Sequence, residues 1–232
     1  PDPFTPNLKV DLLPEVQVPP AMFGDPTAPL PDDLRVRFEA FLRDGSPPSF
    51  PRELLQALRN TAEEERGTGS RWNVPRIQAT VLLIGIRTIA RRKEDPSIPL
   101  ARTHGIVLLR HLFSNLLPDG RYLFLNAIAN QLRFPNAHTN FFSCAVVLLF
   151  AEGSNDVLRE QLTRVLLERL IVLRPHPWGL LITFLELIRN PIYNFWSLPF
   201  VRCDKDIEQL FESVAKSCLG QAQALRGGGD GG

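Results

Sequence analysis

The sequence has few of the residues that form disulfide frameworks and zinc sites. Only three cysteines occur among its 232 residues, namely Cys144, Cys203 and Cys218, and no two of them have the spacing of a zinc-binding pair. This odd and scattered set argues against a disulfide framework and indicates a reducing intracellular setting. We therefore expect an intracellular protein with no metal and no cofactor.

An excess of charge of either sign is also missing. The 26 basic and 25 acidic side chains leave a formal net charge of +1. Such a balance gives no strong field to attract nucleic acid. The only short basic run is Arg91–Lys93. A direct RNA-binding helical domain is the alternative function. It would require a basic, aromatic-lined groove, which this charge balance does not favour.

Apolar runs long enough to cross a bilayer are absent. The longest ones cover 79–90 and 141–151, whereas a membrane-spanning helix needs about 20 apolar residues. We interpret both runs as buried helices and predict no membrane association.

Catalytic motifs are missing as well. No GxSxG, HExxH or phosphate-binding-loop pattern occurs, and Gly67–Gly69 is typical of a flexible loop. His104 and His111 could share a helix face, but two ligands do not make a catalytic metal site. His138 lies near Cys144 in sequence, yet a cysteine inside an apolar helix is usually an inert small hydrophobe. We therefore predict that the chain is not an enzyme.

The dominant positive signal is the 3.6-residue helical period. Leu158, Leu162, Leu166 and Leu170 line one side of a helix that begins after Asn155. Helix starts and stops are further indicated by caps and prolines, at Gly45, Pro51, Asn73, Pro75, Gly153, Pro177 and Asn190. No alternating strand pattern occurs, so the sequence predicts an all-α fold of about eight helices, either a bundle or a stack of antiparallel helix pairs.

Composition divides the chain into three parts. Twelve of the 21 prolines precede position 52, and the segment 1–31 is predicted to be an extended proline-rich arm packed on the core. The helical domain follows over 32–219. The glycine-rich segment 220–232 is predicted to be a disordered tail.

A proline- and aromatic-rich corner follows the Leu158 stripe. Pro175 and Pro177 flank His176 in the segment Arg174–Trp178, and this segment is predicted to stiffen a turn between helices. The alternative is a partner-binding surface, because exposed aromatic side chains are frequent anchors of interfaces. Its candidate residues are Trp178, Asn190, Tyr193, Asn194 and Trp196. In a competing interpretation, partners bind the polar helix faces that carry Arg121 and Arg164.

Several long stretches resemble one known family. They are Gly120–Arg133 (GRYLFLNAIANQLR), Leu166–Val172 (LLERLIV), Arg174–Phe184 (RPHPWGLLITF) and, in the arm, Pro3–Asp11 (PFTPNLKVD). These segments are similar to the C-terminal homology domain of the Not-one scaffold of the Ccr–Not deadenylase complex. The resemblance covers nearly the whole chain.

The resemblance implies a non-catalytic scaffold. The expected fold is a HEAT-like stack of antiparallel helix pairs with an extended arm. The expected partners are the Not-two and Not-three (fungal Not-five) subunits, together with short peptides from repressors such as Nanos. RNA would be reached only through these partners. The assembly would shorten poly(A) tails and repress translation.

Overall fold

The computed structural model describes residues 30–153 and 155–227. Within these ranges the chain forms ten α-helices and three short 3₁₀ turns, and the only β contact is an isolated bridge between Arg59 and Trp72. The all-α prediction is thus confirmed. All but the last two residues of the predicted proline-rich arm lie outside the described residues.

The described residues divide into two compact units, 30–131 and 132–227. We expected a single helical domain over 32–219, and the behaviour of the two units as one domain remains a prediction. None of the described helices is long and apolar enough to span a bilayer.

The N-terminal unit contains six helices. They are α1 (Asp32–Asp44), α2 (Phe50–Ala57), α3 (Ala62–Thr68), α4 (Val74–Glu94), α5 (His104–Asn115) and α6 (Pro118–Ala129). Helix α5 packs against α1, α2, α4 and α6, while α4 also packs against α6. Its core contains fully buried rings from α1, α2, α5 and α6, namely Phe38, Phe50, Phe113 and Phe124.

The C-terminal unit contains four helices. They are α7 (Ala137–Glu152), α8 (Asp156–Val172), α9 (Trp178–Arg189) and α10 (Lys205–Gly227). Helix α9 is central because it packs against α7, α8 and α10. Helix α7 is buried from Phe141 through Phe150, so the apolar run 141–151 is a buried core helix, as predicted.

Asparagine side chains start three of the helices. Asn73 accepts a hydrogen bond from the backbone N–H of Arg76, and Asn155 accepts one from Leu158. Asn136 accepts one from Thr139 in the same way. These bonds satisfy amide groups that the first turn of a helix leaves without partners. The predicted starts at Asn73 and Asn155 are confirmed.

Helix α3 was not predicted, because the segment around Gly67–Gly69 was interpreted as a loop. The side chain of Thr61 accepts from the N–H of Glu64, and the Glu64 carboxylate accepts from the N–H of Thr61. This reciprocal capping box is visible in the sequence as Thr-x-x-Glu. Gly69 then ends the helix with a φ of 66°, which glycine adopts without strain.

Helix α10 extends to Gly227, beyond the point at which the disordered tail was expected to begin. The residues after Gly220 include glutamine, alanine and leucine, which are good helix formers. Gln221 also makes tertiary hydrogen bonds. The tail expectation is therefore corrected for 220–227, and the remaining residues lie outside the described part of the chain.

Candidate functional site

The corner between α8 and α9 is tied to α10 through His176. The imidazole of His176 is buried, with its Nδ1 2.9 Å from the carbonyl of Leu173 and its Nε2 3.1 Å from the hydroxyl of Ser217. A carbonyl oxygen can only accept, so Nδ1 donates to Leu173; in the neutral imidazole Nε2 then accepts from the hydroxyl of Ser217. His176 thus joins two helices, and the architectural interpretation of the corner accounts for it.

Trp178 begins α9 and is half-buried. The next two N–H groups, those of Gly179 and Leu180, donate to the carbonyls of Arg133 and Leu132 over 3.3 and 3.2 Å. These bonds replace the missing helical partners of the first turn of α9. The acceptor moves back from Arg133 to Leu132 as the donor advances from Gly179 to Leu180, so the two segments run antiparallel.

Gly179 allows this close approach. A Cβ atom at position 179 would lie 2.2 Å from Cγ2 of Thr139 and 2.9 Å from the backbone carbon of Leu132. Both distances are far below van der Waals contact. Glycine is therefore required where α9 meets the segment that leads into α7.

The aromatic rings after α9 pack mainly inside the C-terminal unit. Tyr193 is buried and contacts Phe150 edge to face, with ring centroids 6.0 Å apart. Burial, together with the nearby carboxylate of Glu186 and thiol of Cys144, raises the pKa of Tyr193 to about 12. A desolvated phenol disfavours its charged form. Tyr193 is therefore part of the core rather than an exposed anchor.

Phe195 is the centre of this aromatic cluster. Its ring lies 5.6 to 6.4 Å, between centroids, from five other aromatic rings, those of Phe150, Phe184, Trp196, Phe200 and Phe211. Trp196 is half-buried, and its indole N–H donates to the carbonyl of Ile188 over 3.0 Å. Phe195 lies between Tyr193 and Trp196, which were proposed from the sequence as binding residues, but it was not itself among those candidates.

Asn190 and Asn194, the two asparagines among the candidate binding residues, differ in whether their side chains are available to a partner. Asn190 uses both ends of its amide, since Oδ1 accepts from the N–H of Ile192 and Nδ2 donates to Glu186. Asn194 is exposed and adopts a left-handed backbone with a φ of 46°. Asn194 is thus an exposed polar residue at the edge of an otherwise internal aromatic cluster.

Arg121 and Arg164, the residues of the competing interpretation, lie in different units. Arg121 is buried, and its guanidinium donates to the carbonyls of Phe113 and Leu116 over 2.7 and 2.6 Å. Burial lowers the pKa of Arg121. This corrects the expectation that Arg121 contributes to a partner surface, because it ties the end of α5 to α6.

Arg164 is exposed on α8. Its side chain is 71% exposed and forms an ion pair with Glu168 one turn later, over 2.9 Å. An exposed pair of this kind contributes little to stability. Both charges are therefore available to a partner with little loss of folding free energy.

The histidine and cysteine side chains that were considered for chemistry lie in surroundings typical of structural residues. His138 contacts the ring of Phe142, and burial lowers its pKa. Cys144 is buried in α7, while burial raises the pKa of Cys218 to about 11 against a lowering effect of Arg174. Among the described residues, no three His, Cys, Asp or Glu side chains are arranged to hold a metal ion.

The N-terminal unit carries an open groove of about 540 Å³ between the α3–α4 connection and the first turn of α6. Trp72 is one of its lining residues, and a Cβ atom on Gly120 would lie 2.5 Å from the indole ring. Asp119 lines one side. Burial raises the pKa of Asp119, but the nearby indole N–H of Trp72, the backbone N–H of Gly120 and the charge of Arg71 together lower it more, so the net shift is downward.

These features define an all-helical protein whose aromatic and buried polar groups mostly hold its helices together. The family model described as "CCR4-Not complex component, Not1" matches residues 1–215. The chain therefore belongs to the Not1 family, as its resemblance predicted.

Three known proteins place the chain within this family. It is similar to the CCR4-NOT transcription complex subunit let-711 of Caenorhabditis elegans, with 42% identity over 94% of this chain and 8% of that protein. It also resembles the solved NOT1 superfamily homology domain of Chaetomium thermophilum, with a TM-score of 0.71 and 31% identity over 82% of this chain and 38% of that one.

A further solved structure, a Not1 C-terminal domain in complex with Not4, gives a TM-score of 0.68 and 29% identity. That likeness covers 81% of this chain and 40% of that one. The chain thus spans less than a tenth of the curated nematode relative and about two fifths of each solved domain.

Proposed function

We propose that this chain is a non-catalytic docking module of a Not1 scaffold subunit, which binds the Not-two and Not-three/five subunits of the Ccr–Not complex. The observation that carries the proposal is the family match over residues 1–215. Through these partners the module supports mRNA deadenylation and translational repression in cytoplasm and nucleus.

The exposed face of α8 is the surface that we propose for this docking. Arg164 and Glu168 lie there as an exposed ion pair, and Glu160 is exposed one turn earlier. Charged side chains at the rim of an interface set orientation and association rate. Tyr193 and Trp196 are used inside the unit, which makes the aromatic corner the weaker candidate.

A binding experiment tests the module and the surface together. The chain is titrated with a purified Not-two/Not-three heterodimer at low and high salt, and we expect binding that survives high salt. Arg164→Glu should weaken it by about 1 kcal/mol or more. Failure of the unaltered chain to bind the heterodimer would contradict the proposed docking function. Normal binding by a folded Arg164→Glu variant would contradict only the proposal that the exposed face of α8 is the docking surface.

Two controls separate charge recognition from helix stability. Arg164→Glu combined with Glu168→Arg restores an ion pair on α8 but exchanges the charges that a partner meets, so binding should stay weak while the melting temperature recovers. Arg189→Glu makes the same charge change at the end of α9 and should leave heterodimer binding unchanged.

Not4 is a second candidate partner. A solved Not1 C-terminal domain that resembles this chain is in complex with Not4. Adding Not4 in the same titration tests this assignment, and competition between Not4 and the heterodimer would indicate overlapping surfaces. Binding of RNA by the chain alone, with a steep salt dependence, would favour the RNA-binding alternative instead.

A further inference from the structure

The groove of the N-terminal unit is lined by two carboxylates that form no ion pair. Asp119 lies in the first turn of α6, and Glu65 lies in α3. No lysine or arginine among residues 30–153 and 155–227 lies within ion-pair distance of either carboxylate, whereas Glu64, the residue before Glu65, pairs with Arg76 over 3.7 Å. Both charges are therefore available to a cationic ligand in the groove.

Asp119 is held in its charged form. Burial alone would raise its pKa, but the nearby indole N–H of Trp72, the backbone N–H of Gly120 and the charge of Arg71 outweigh burial and lower it. Trp72 is 2% exposed, and its indole N–H makes no hydrogen bond of normal geometry within the part of the chain that the structure describes. A buried donor without a partner of its own favours an anion beside it. The groove therefore keeps a fixed negative charge at neutral pH.

An aromatic ring and an aliphatic side chain lie on the same face of α6 as Asp119. Tyr122 and Leu123 follow Asp119 by three and four positions, which is the spacing of neighbours on a helix surface. Tyr122 is 39% exposed, and Leu123 is half-buried. The face of a tyrosine ring attracts cations, and an aliphatic side chain can cover methylene groups. This wall of the groove thus combines a carboxylate with an apolar surface.

The walls of the groove are held in place by contacts within the N-terminal unit. The guanidinium of Arg59 lies over the indole ring of Trp72, 5.4 Å from its centroid, and Gly120 allows α6 to approach the same ring closely. Nδ2 of Asn60 donates to the carbonyls of Ser70 and Trp72 over 2.8 and 3.2 Å, which fixes the connection that leads into α4. A pre-formed site loses little conformational entropy when a ligand binds.

We propose that this groove binds a polyamine, with ammonium groups paired to Asp119 and Glu65 and the alkyl chain lying against Tyr122 and Leu123. The inference goes beyond the proposed docking function, because the ligand is a small molecule and the site lies outside the α8 surface. Alkylammonium groups have a pKa of about 10 and are charged at neutral pH. A single exposed ion pair contributes little, so a ligand with several ammonium groups and an apolar body fits best. The groove, of about 540 Å³, has the size of a small-molecule site.

Two other classes of ligand fit the groove less well. A nucleotide needs cationic groups for its phosphates, and Arg71 is the one basic side chain among the described residues that line the groove, against two carboxylates. A calcium ion takes about six to eight oxygen ligands, and no three His, Cys, Asp or Glu side chains of the described ranges are arranged to hold a metal ion. A polyamine needs only the two carboxylates and the apolar wall.

The nuclear magnetic resonance signal of the Trp72 indole N–H reports on the groove in the full chain. The chain has only three tryptophans, so their indole signals can be assigned in the isotope-labelled protein by single Trp→Phe variants. Spermidine, added at low salt, should shift the Trp72 signal in a saturable way, with a dissociation constant of about 0.1–1 mM. The signals of Trp178 and Trp196 should not move. Higher salt should weaken the binding, because the ion pairs are exposed.

Substitutions in the groove have expected effects of opposite sign. Glu65→Gln should weaken spermidine binding by about threefold, and Glu65→Gln combined with Asp119→Asn should weaken it by about tenfold. Arg71→Ala removes a positive charge from the groove and should strengthen spermidine binding by about twofold. Glu168→Gln makes the same charge change on α8 and is the matched control, so it should bind spermidine as the unaltered chain does.

The remaining outcomes overturn the inference. The absence of a saturable Trp72 shift, or equal weakening by Glu65→Gln and Glu168→Gln, would mean that spermidine has no site in the groove. Tighter binding of adenosine or guanosine monophosphate, weakened by Arg71→Ala, would replace the polyamine by a nucleotide. Affinity for Nα-acetyl-lysinamide equal to that for spermidine would assign the groove to a lysine side chain of a protein.

The experiment is independent of the heterodimer titration. A chain that binds Not-two/Not-three but not spermidine would retain the proposed function and lose this inference. Glu65 and Arg71 are exposed, so melting curves of both single variants should match that of the unaltered chain. Should the double variant unfold, the two single variants still test the groove through their opposite effects.

Discussion

His176 and Gln221, 45 positions apart in the sequence, hold each other by two hydrogen bonds. The backbone N–H of His176 donates to Oε1 of Gln221 over 2.9 Å, and Nε2 of Gln221 donates to the carbonyl of His176 over 2.8 Å. One amide side chain on α10 thus satisfies both backbone groups of a buried residue in the α8–α9 corner. This contact explains why α10 continues past Gly220.

Gln221→Ala should therefore destabilise the chain. The substitution leaves the backbone N–H and carbonyl of His176 without these partners, and an unsatisfied buried polar group costs about 1–3 kcal/mol. Urea unfolding measures the loss. Gln223→Ala, an exposed position on the same helix, should change the free energy of unfolding by less than about 0.5 kcal/mol. Equal effects of the two variants would contradict the contact.

Leu166 and Glu168 should differ sharply in their contribution to stability. Leu166 is 2% exposed on the apolar side of α8, so Leu166→Ala should cost about 2–5 kcal/mol. Glu168→Ala removes one partner of an exposed ion pair and should cost less than about 0.5 kcal/mol. Thermal melts that rank the two in the opposite order would mean that α8 presents its other side to the core.

Gly179→Ala should destabilise the chain by steric conflict. The added Cβ atom would meet Thr139 Cγ2 and the backbone of Leu132, and overpacking of this kind typically costs about 1–3 kcal/mol. The additional substitution Thr139→Ser removes Cγ2 and should restore part of the loss. Chemical unfolding of the single and double variants measures this, and no rescue would mean that the clash lies elsewhere.

Tyr193 should make stability depend on alkaline pH. Its pKa is raised to about 12 in the folded chain, whereas an unfolded tyrosine titrates near 10. Between these values the folded state binds more protons than the unfolded state, so the free energy of unfolding falls as pH rises. The contribution is fully present below pH of about 10 and is lost by about 12.

Tyr193→Phe tests this linkage. The variant should show a shallower decline of the free energy of unfolding across that alkaline window, measured by urea titration at several pH values. Tyr122→Phe is the control, because Tyr122 is more exposed than Tyr193, and it should keep the original slope. A Tyr193→Phe slope equal to that of the unaltered chain would indicate that the phenol is solvated.

Local signals predicted most of the helices. Asn73 and Asn155 act as caps because their short side chains reach an amide of the next turn, an interaction that involves only neighbouring residues. The same reasoning applied to Thr61 and Glu64 would have found α3. The leucine stripe of α8 was likewise visible as a period, and its burial follows from that period.

The family, too, was recognisable from long stretches of sequence, and the match over residues 1–215 confirms it. The roles of the individual candidate binding residues were not recognisable from the sequence. Tyr193 and Arg164 are both polar residues of a kind found at interfaces, yet one is buried against Phe150 and the other is exposed.

The amino-acid order thus accounts for where helices begin and end, because capping and periodicity act over one or two turns of the chain. It does not reveal that Arg121 serves two carbonyl groups of a neighbouring segment, or that His176 and Gln221 meet across 45 positions. Those contacts arise only when helices pack, since the burial of a side chain depends on what lies opposite it. The exposure of Val172 beside a buried His176 has the same origin.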